Sequence, residues 1–494
     1  MAARGLGALF EIEQGAKMVV HPPRALQSTS TQPPAPSVIE LGEYTWGSRY
    51  NGPSNTGTQT PITPNELEMS QPPTPKRAEA AGLVQSFSNP AMNRWRVLAA
   101  CLVYFGNGLN DAATGAIIPY MEKEYHIGHA IVSLIFVTTA AGFILAAPFI
   151  DALDGRIGRA KTFITAEMLI IIGFVMIACT PPYAVVAIAF FLNGYGAATT
   201  LALNNVFLAN LAGATVLLGA GHGCYGIGGI VGPIMATAMI SAGMSWSRFY
   251  LVALGIRVVS LVLTAWAFWN YEKEASTQLL TALERTASQR AAIEDGAPTK
   301  KQLLKRALRN RVTIMGALLI FAYQGAEVAI SGWVISFLID YRDGDPAQVG
   351  FVTAGFWGGI TLGRFVLTHV AHLVGEKRFV YGLGLGAIVF QLLVWLVPNV
   401  IGNAVAVSIV GLLLGPIYPC AQTIFVKLLP HNIQTTSIGF ISSAGSSGGA
   451  VVPFTTGLLA QAVGTYVLHP VAIAFFVIML ACCFGLPNVR KREE

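Results

Sequence analysis

Residues 107–115 read NGLNDAATG, and residues 324–332 read QGAEVAISG. A shift of 217 positions places two glycines and one alanine of the first segment on the same residue types of the second, which indicates an internal duplication. Each segment carries a carboxylate, Asp111 or Glu327, inside an apolar stretch long enough to cross a membrane. An ionised carboxylate at the bilayer centre costs on the order of 3 kcal/mol, so such residues usually face a water-filled cavity and serve function. We expect both carboxylates to look into one central cavity.

The composition is that of a polytopic membrane protein. Of the 494 residues, 53% are hydrophobic and 11% are charged, whereas soluble proteins carry about 25% charged residues. The net charge is +6, but the basic residues cluster in short loops between apolar stretches, so membrane topology explains them and no nucleic-acid partner is expected. The six cysteines lie in apolar stretches, which predicts neither a disulfide framework nor a metal site, and no cofactor is expected.

From Trp95 onward the chain contains twelve apolar stretches, each near the length of about 20 residues that crosses a bilayer. One long polar connection divides them into six plus six. The sequence therefore predicts an all-α membrane protein with twelve transmembrane helices in two pseudo-symmetric six-helix bundles. The residues before them are rich in proline, serine and threonine, which predicts a disordered tail. The predicted segments are an N-terminal tail at 1–93, a first bundle at 94–270, a central loop at 271–311, a second bundle at 312–487 and a C-terminal tail at 488–494.

Basic residues mark one side of the predicted bundles. Arg94, Arg156, Lys377 and Arg490 fall in connections on this side, together with the basic end of the central loop. Because cytoplasmic loops carry the excess of lysine and arginine, both termini and the central loop are predicted to be cytoplasmic. We expect a monomer in a lipid bilayer, with the plasma membrane as the default location.

Glycines in the fifth predicted span return in the eleventh. Gly228 and Pro233 have counterparts 220 residues later in Gly448 and Pro453. Small residues let helices approach closely, and glycine-rich helices at matching places of two repeats suit an interface about which the repeats rock. These four residues and Gly232 are therefore predicted to act in gating.

Polar residues in several predicted spans recur at helical spacings of three, four or seven positions, so each set lines one helix face. With aromatic side chains beside them, such faces suit a polyhydroxylated solute. Arg364 lies deep enough in the eighth span to need a partner, and we expect it to pair with Glu327. The predicted binding residues on these faces are Asn107, Thr114, Asn204, Gln324, Ser331, Trp357, Tyr418 and Gln422, with Asp111 and Glu327 as candidate sites for a coupling ion.

The loop after the second span, residues 151–159, reads DALDGRIGR. This loop is similar to the G-x-x-x-D-R-x-G-R-R signature of the major facilitator superfamily of transporters, although its spacing differs by one residue and Ala147 replaces the leading glycine. From Trp95 to Pro487 the chain resembles that superfamily, whose signature locks the cytoplasmic gate. The gating residues that the resemblance implies are Asp151, Arg156 and Arg159.

Asn110 and Asp111 are similar to the Asn-Asp-x-x-x-P region of the fucose and glucose/galactose permeases and of the related sodium-dependent glucose transporters. Residues 323–327, YQGAE, resemble the Tyr-Val-Gly-Ala-Glu/Gln region of the same group, and Asn205 stands where that group has an asparagine. The fourth-span carboxylate of the proton-coupled fucose permease is missing here. The resemblance implies a sugar porter that contacts its solute through Asn110 and Asn205 and couples through Asp111 or Glu327.

These features predict a secondary active transporter that moves a hexose-like solute by alternating access, coupled to protons in preference to sodium ions. Proton-antiport efflux of a drug, toxin or secondary metabolite is one alternative, which the glycine pattern of the fifth span favours and the absence of the exporters' fourth-span arginine opposes. A non-transporting sensor that signals through the N-terminal tail is another. The sequence has no recognisable nucleotide-binding loop, metal cluster or nucleophile motif, so an enzyme is not expected.

Overall fold

The computed structural model describes residues 85–274 and 300–487, and these two ranges form helices and no strand. Most of the predicted N-terminal tail, the middle of the central loop and the C-terminal tail lie outside the described residues. The long helices of the first half are α1 (Asn93–Tyr125), α2 (Leu134–Ile157), α3 (Arg159–Ala178), α4 (Tyr183–Ala209), α5 (Ala214–Ser241) and α6 (Phe249–Phe268). Those of the second half are α7 (Arg311–Arg342), α8 (Val352–Val374), α9 (Glu376–Leu396), α10 in two segments (Val400–Leu414 and Ile417–Leu428), α11 (His431–Val463) and α12 (Leu468–Gly485).

Ten helical stretches of the described residues are long and apolar enough to cross a membrane. The two other long helices, α1 and α11, have 33 residues each and carry more polar side chains. At about 1.5 Å per residue, each exceeds the ~30 Å hydrocarbon core. Both helices contribute to the cavity described below, which explains their polarity. The predicted all-α architecture of twelve membrane helices is confirmed.

Close helix contacts repeat in the two halves. In the first half α5 approaches α1 so closely that a Cβ atom on Gly228 would overlap the carbonyl oxygen of Phe105. In the second half α11 approaches α7 in the same way, with Gly448 against the carbonyl oxygen of Phe321. Only glycine fits at such contacts, because any side chain would push the two backbones apart. The repeat in the sequence is therefore a repeat in packing, and the pseudo-symmetric arrangement is confirmed.

The two halves pack against each other at several levels, and one set of contacts lies at an end of the molecule that we call the His129 end. Gly128 and His129, in the connection between α1 and α2, face Gln461 of α11 and Asp340 of α7. His129 Nε2 lies 3.7 Å from Asp340 Oδ2, and the imidazole ring meets the edge of the Trp333 indole at 5.5 Å. These contacts close the space between the halves at this end.

The opposite end, which we call the basic end, carries the α2–α3 connection and the start of α1. The ion pairs described there each join residues of a single half. Near this end Gly219 of α5 and Gly439 of α11 have open space at their Cβ positions. Open space at these two glycines makes the basic end the side from which we expect a solute to enter between the halves. The ion pairs are Arg96–Glu274, Arg159–Asp154 and Lys427–Glu376.

Candidate functional site

A cavity of about 180 Å³ lies between the two halves. Helices α1, α2, α4 and α5 line it from the first half, and α7, α8 and α11 line it from the second. Seven of the residues predicted from the sequence, including both carboxylates, lie together in its wall. The principal polar lining residues are Asn110, Asp111, Thr114, Tyr225, Gln324, Glu327 and Ser331, and the aromatic ones besides Tyr225 are Phe136, Phe143, Phe190 and Trp357.

Asp111 presents its carboxylate to the cavity from the first half. Its Oδ2 accepts a hydrogen bond of 2.8 Å from the Tyr225 hydroxyl of α5. Its Oδ1 accepts a bond of 3.3 Å from Asn110 Nδ2. Thr114 lies about one helical turn further along the same wall of α1. The carboxylate is thus held by neutral donors while its outer face stays open to a solute or an ion.

Glu327 faces the same cavity from α7, and its side chain is 7% exposed. Arg364 Nη2 of α8 lies 4.0 Å from Glu327 Oε1, so the expected pairing of these two residues is present. The other carboxylate oxygen, Oε2, has no hydrogen-bond partner among the described residues. The second half therefore places at the cavity wall a carboxylate whose charge is balanced by a neighbouring arginine.

Trp357 of α8 joins the two halves at the cavity wall. Its indole Nε1 donates a hydrogen bond of 2.8 Å to Ser331 Oγ of α7. Its ring lies edge to face with Tyr225 of α5, at 5.9 Å between ring centroids. Trp333, in contrast, is buried and donates to the carbonyl oxygen of Pro453 at 2.9 Å, so it is a packing residue of the second half.

A second polar group lies behind Asp111, inside the first half. Arg257 of α6 donates a hydrogen bond to the amide oxygen of Asn107, one turn before Asp111, and its Nη1 lies 3.4 Å from Glu167 Oε1 of α3. The side chains of Arg257 and Glu167 are 2% and 0% exposed. Gly106 leaves room for the guanidinium, since a Cβ there would lie 3.1 Å from Arg257 Cζ. The prediction missed Glu167, although it is the only acid of the apolar third span.

Five predicted binding residues lie outside the cavity lining. Three of them, Asn107, Asn205 and Tyr418, contact neighbours within the same half. Asn205 accepts a hydrogen bond from the Tyr104 hydroxyl, for example, and the Tyr418 ring packs 6.1 Å from that of Tyr323. Contacts of these five residues with a solute stay a prediction. They are Asn107, Asn204, Asn205, Tyr418 and Gln422.

The predicted gate residues lie at several places in the fold. Arg159 pairs with Asp154 at 3.5 Å, and its backbone N–H donates to a carboxylate oxygen of Glu272 at 2.5 Å. Arg156 is exposed at the end of α2, and the side chain of Asp151 lies outside the described part of the chain. The gating roles stay a prediction. Of the predicted gating residues within helices, Gly228, Gly232 and Pro233 lie in α5, and Gly448 and Pro453 lie in α11.

Comparison with known proteins places this architecture in a family. A family model of the Major Facilitator Superfamily matches residues 100–453 and 329–494. Bypass of stop codon protein 6 of Saccharomyces cerevisiae is 26% identical over 387 residues, which cover 75% of this chain and 78% of that protein. Glucose/mannose transporter GlcP of Bacillus subtilis is 20% identical over 369 residues, which cover 74% of this chain and 88% of that protein.

A solved structure shows the same fold. The crystal structure of a D-xylose-proton symporter matches with a TM-score of 0.62 at 14% identity, over 80% of this chain and 99% of that one. Sequence and fold thus lead to the same family. The chain belongs to the Major Facilitator Superfamily of membrane transporters.

Proposed function

We propose that this protein is a secondary active transporter of a hexose-like sugar and that protons drive the transport. One observation carries the proposal: Asp111 and Glu327, which come from different halves, face one cavity together with amide, hydroxyl and aromatic side chains. Sites for small molecules combine apolar walls with a few placed polar groups, and a sugar presents both hydroxyls and an apolar ring face. The Bacillus relative, which is named as a glucose/mannose transporter, supports the same class of solute.

The proposed mechanism is alternating access, in which two bundles rock about a site near the bilayer midplane. In the conformation described here, the solute reaches the cavity from the basic end, because the contacts of Gly128 and His129 with the second half close the other end. Rocking parts these contacts and brings the halves together at the basic end. We further propose that the basic end and both termini face the cytoplasm, since lysine and arginine accumulate there, and that a monomer works in the plasma membrane.

The two carboxylates are proposed to have different roles, one in binding the proton and the other in binding the solute. Glu327 has the cation Arg364 at 4.0 Å, whereas Asp111 contacts only the neutral donors Tyr225 and Asn110. A charge in a low-dielectric site has to be paired or neutralised. Asp111 is therefore the place where a proton restores neutrality, and Glu327 is the place where a solute hydroxyl finds an ionised acceptor.

Transport by purified protein in proteoliposomes tests this function. Uptake of labelled glucose and galactose is measured with and without an imposed pH gradient, and with a sodium gradient at equal pH as the matched control. The proposal expects accumulation with the pH gradient alone. Accumulation with the sodium gradient alone would show that sodium, and not the proton, is the coupling ion. The absence of any sugar flux, by uptake or by counterflow, would overturn the sugar assignment and favour an efflux substrate.

A further inference from the structure

The buried group of Glu167, Arg257 and Asn107 does not line the cavity, yet it lies behind Asp111. Asn107 and Asp111 are separated by one turn of α1, and Arg257 contacts Asn107. Because the guanidinium of Arg257 is bound to Asn107, one turn from Asp111, its positive charge also favours the ionised form of Asp111. One cation is therefore close to two carboxylates, Glu167 in direct contact and Asp111 about a turn away.

Charge neutrality is the reason this geometry matters. Within the first half, Asp111 and Glu167 are carboxylates and Arg257 is the cation that acts on both. If both carboxylates were ionised, a net negative charge would remain in a region from which water is largely excluded. Uncompensated charge in such surroundings is strongly unfavourable. One proton bound by the two carboxylates removes the imbalance.

The side chains around Glu167 supply no other charge to do this. Helix α6 contributes Arg257 and, one turn later, the neutral hydroxyl of Ser260, which lies beside Glu167. The buried polar residues of α4, which are Asn193, Thr199, Thr200 and Asn204, are all uncharged. On the Asp111 side the neighbours are neutral phenols, Tyr225 in contact and Tyr250 nearby, and the charges of the second half beyond Tyr225 are the balanced pair Glu327 and Arg364. Glu167 Oε2 itself has no hydrogen-bond partner among the described residues.

We propose that Glu167 is a second proton-binding residue of the first half, which shares one proton with Asp111 through the common cation Arg257. In this arrangement Asp111 exchanges the proton with the cavity. When Asp111 is ionised, Glu167 carries the proton. The guanidinium of Arg257 then moves toward whichever carboxylate is ionised. The inference rests on the proposed proton coupling for its role in transport, but the shared proton itself does not depend on which solute is carried.

Infrared spectroscopy of the reconstituted protein at neutral pH, with no solute present, tests the shared proton directly. The carbonyl band of a protonated carboxyl group is compared between the wild type and Glu167→Gln. The proposal expects the wild type to show a band that Glu167→Gln lacks, because Asp111 and Arg257 alone are balanced. Glu376→Gln, which removes a carboxylate of the second half near the basic end, is the matched control and should retain the band. Retention of the full band in Glu167→Gln would overturn the proposal, since Asp111 would then hold the proton alone.

A second variant and a transport readout guard against misfolding and against a merely structural role. Glu167→Asp keeps the charge count, so its band should persist and move in frequency; a band superimposable on that of the wild type would contradict the proposal. In counterflow, Glu167→Gln should keep the half-saturation for solute, because Glu167 does not line the cavity, while gradient-driven accumulation falls at least tenfold. Accumulation equal to that of the wild type would overturn the role in coupling. If the wild type transports no sugar, the proposed substrate is wrong. The infrared comparison still tests whether Glu167 and Asp111 share a proton.

Discussion

In the first half, Asp111 faces the cavity with Arg257 and Glu167 buried behind it, whereas in the second half Glu327 faces it with Arg364 alongside. The charged residues of one half have no charged counterparts at the equivalent positions of the other half. Arg257 and Glu167 each lie eight residues after the start of their helices, and the matching positions of α12 and α9 hold Phe476 and Gly384.

The same mismatch holds in the other direction. Arg364 follows Gly359 by five residues, and the position five residues after the matching Gly142 is Ala147. Gly142 and Gly359 make equivalent close contacts with the backbones of α4 and α10. Duplication has therefore preserved the backbone packing of the two halves while their charges have diverged. The comparison shows two halves of similar packing and different charge, with a carboxylate that lacks a cation in contact in the first half and a carboxylate paired with an arginine in the second. Under the proposed mechanism, the halves move as similar bodies and differ in their chemistry.

The largest expected effect is a difference in thermal stability between variants of Arg257 and Arg364. Arg257→Leu leaves Glu167 buried without its cation, and breaking a buried pair from one side costs about 3–5 kcal/mol. Arg364 is 27% exposed at the cavity, where water can screen the charge left on Glu327, so Arg364→Leu should cost less than Arg257→Leu. Thermal unfolding in detergent, followed by fluorescence, measures both. The loss in Arg257→Leu should be smaller at acidic than at alkaline pH, because protonation removes the uncompensated charge.

A double variant controls this experiment. Glu167→Leu together with Arg257→Leu removes both charges and should recover most of the lost thermal stability. An Arg364→Leu variant that is destabilised as much as Arg257→Leu would contradict the difference between the halves.

The next effect tests what the halves share. Gly228→Ala and Gly448→Ala each force a methyl group against a neighbouring backbone carbonyl, and overpacking of this kind costs about 1–3 kcal/mol. We expect similar losses of thermal stability in the two variants. Gly219→Ala and Gly439→Ala are matched controls on the same two helices, because open space surrounds their Cβ positions. If Gly228→Ala and Gly448→Ala lose unequal amounts of thermal stability, the two matching helix contacts do not contribute equally to the stability of the protein.

A smaller effect concerns the contact between the halves. Asp340→Ala removes the partner of His129 Nε2 at 3.7 Å, and a partly exposed pair contributes about 0–1 kcal/mol. The variant should stay folded but open more often at the His129 end. Reaction of Ser133→Cys with a membrane-impermeant thiol reagent, in a background without the native cysteines, should then become faster. Lys427→Ala breaks a pair within the second half and should leave the labelling rate unchanged; equal acceleration in both would refute the assignment.

An effect of similar size compares two of the aromatic residues of the cavity wall, Trp357 and Tyr225. Trp357→Phe removes the hydrogen bond to Ser331, a loss of about 0.5–1.5 kcal/mol or roughly 2- to 10-fold in half-saturation for solute. Tyr225→Phe removes the donor to Asp111 and should change the pH dependence of counterflow more than its half-saturation. Counterflow measured over a series of pH values and sugar concentrations separates the two. If both variants change half-saturation and pH dependence in the same way, Trp357 and Tyr225 do not have separate roles in solute binding and proton coupling.

Much of the fold could be predicted from the sequence, because apolar length, loop charge and the repeated glycines are local signals. The two carboxylates and the Arg364 pairing also followed, since a charge inside an apolar span needs a cavity or a partner. Glu167 was missed because its partner Arg257 lies 90 residues away. Asn107 was expected at the cavity because it shares a helix face with Asp111, but the guanidinium of Arg257 holds its amide.

The central claim is that Asp111 couples the proton and Glu327 holds the solute in one shared cavity. Gradient-driven accumulation and sugar counterflow, measured side by side in proteoliposomes for Asp111→Asn and Glu327→Gln, test it most directly. The account predicts that Asp111→Asn loses accumulation and retains counterflow, whereas Glu327→Gln loses both. Accumulation in Asp111→Asn at the level of the wild type would contradict the account.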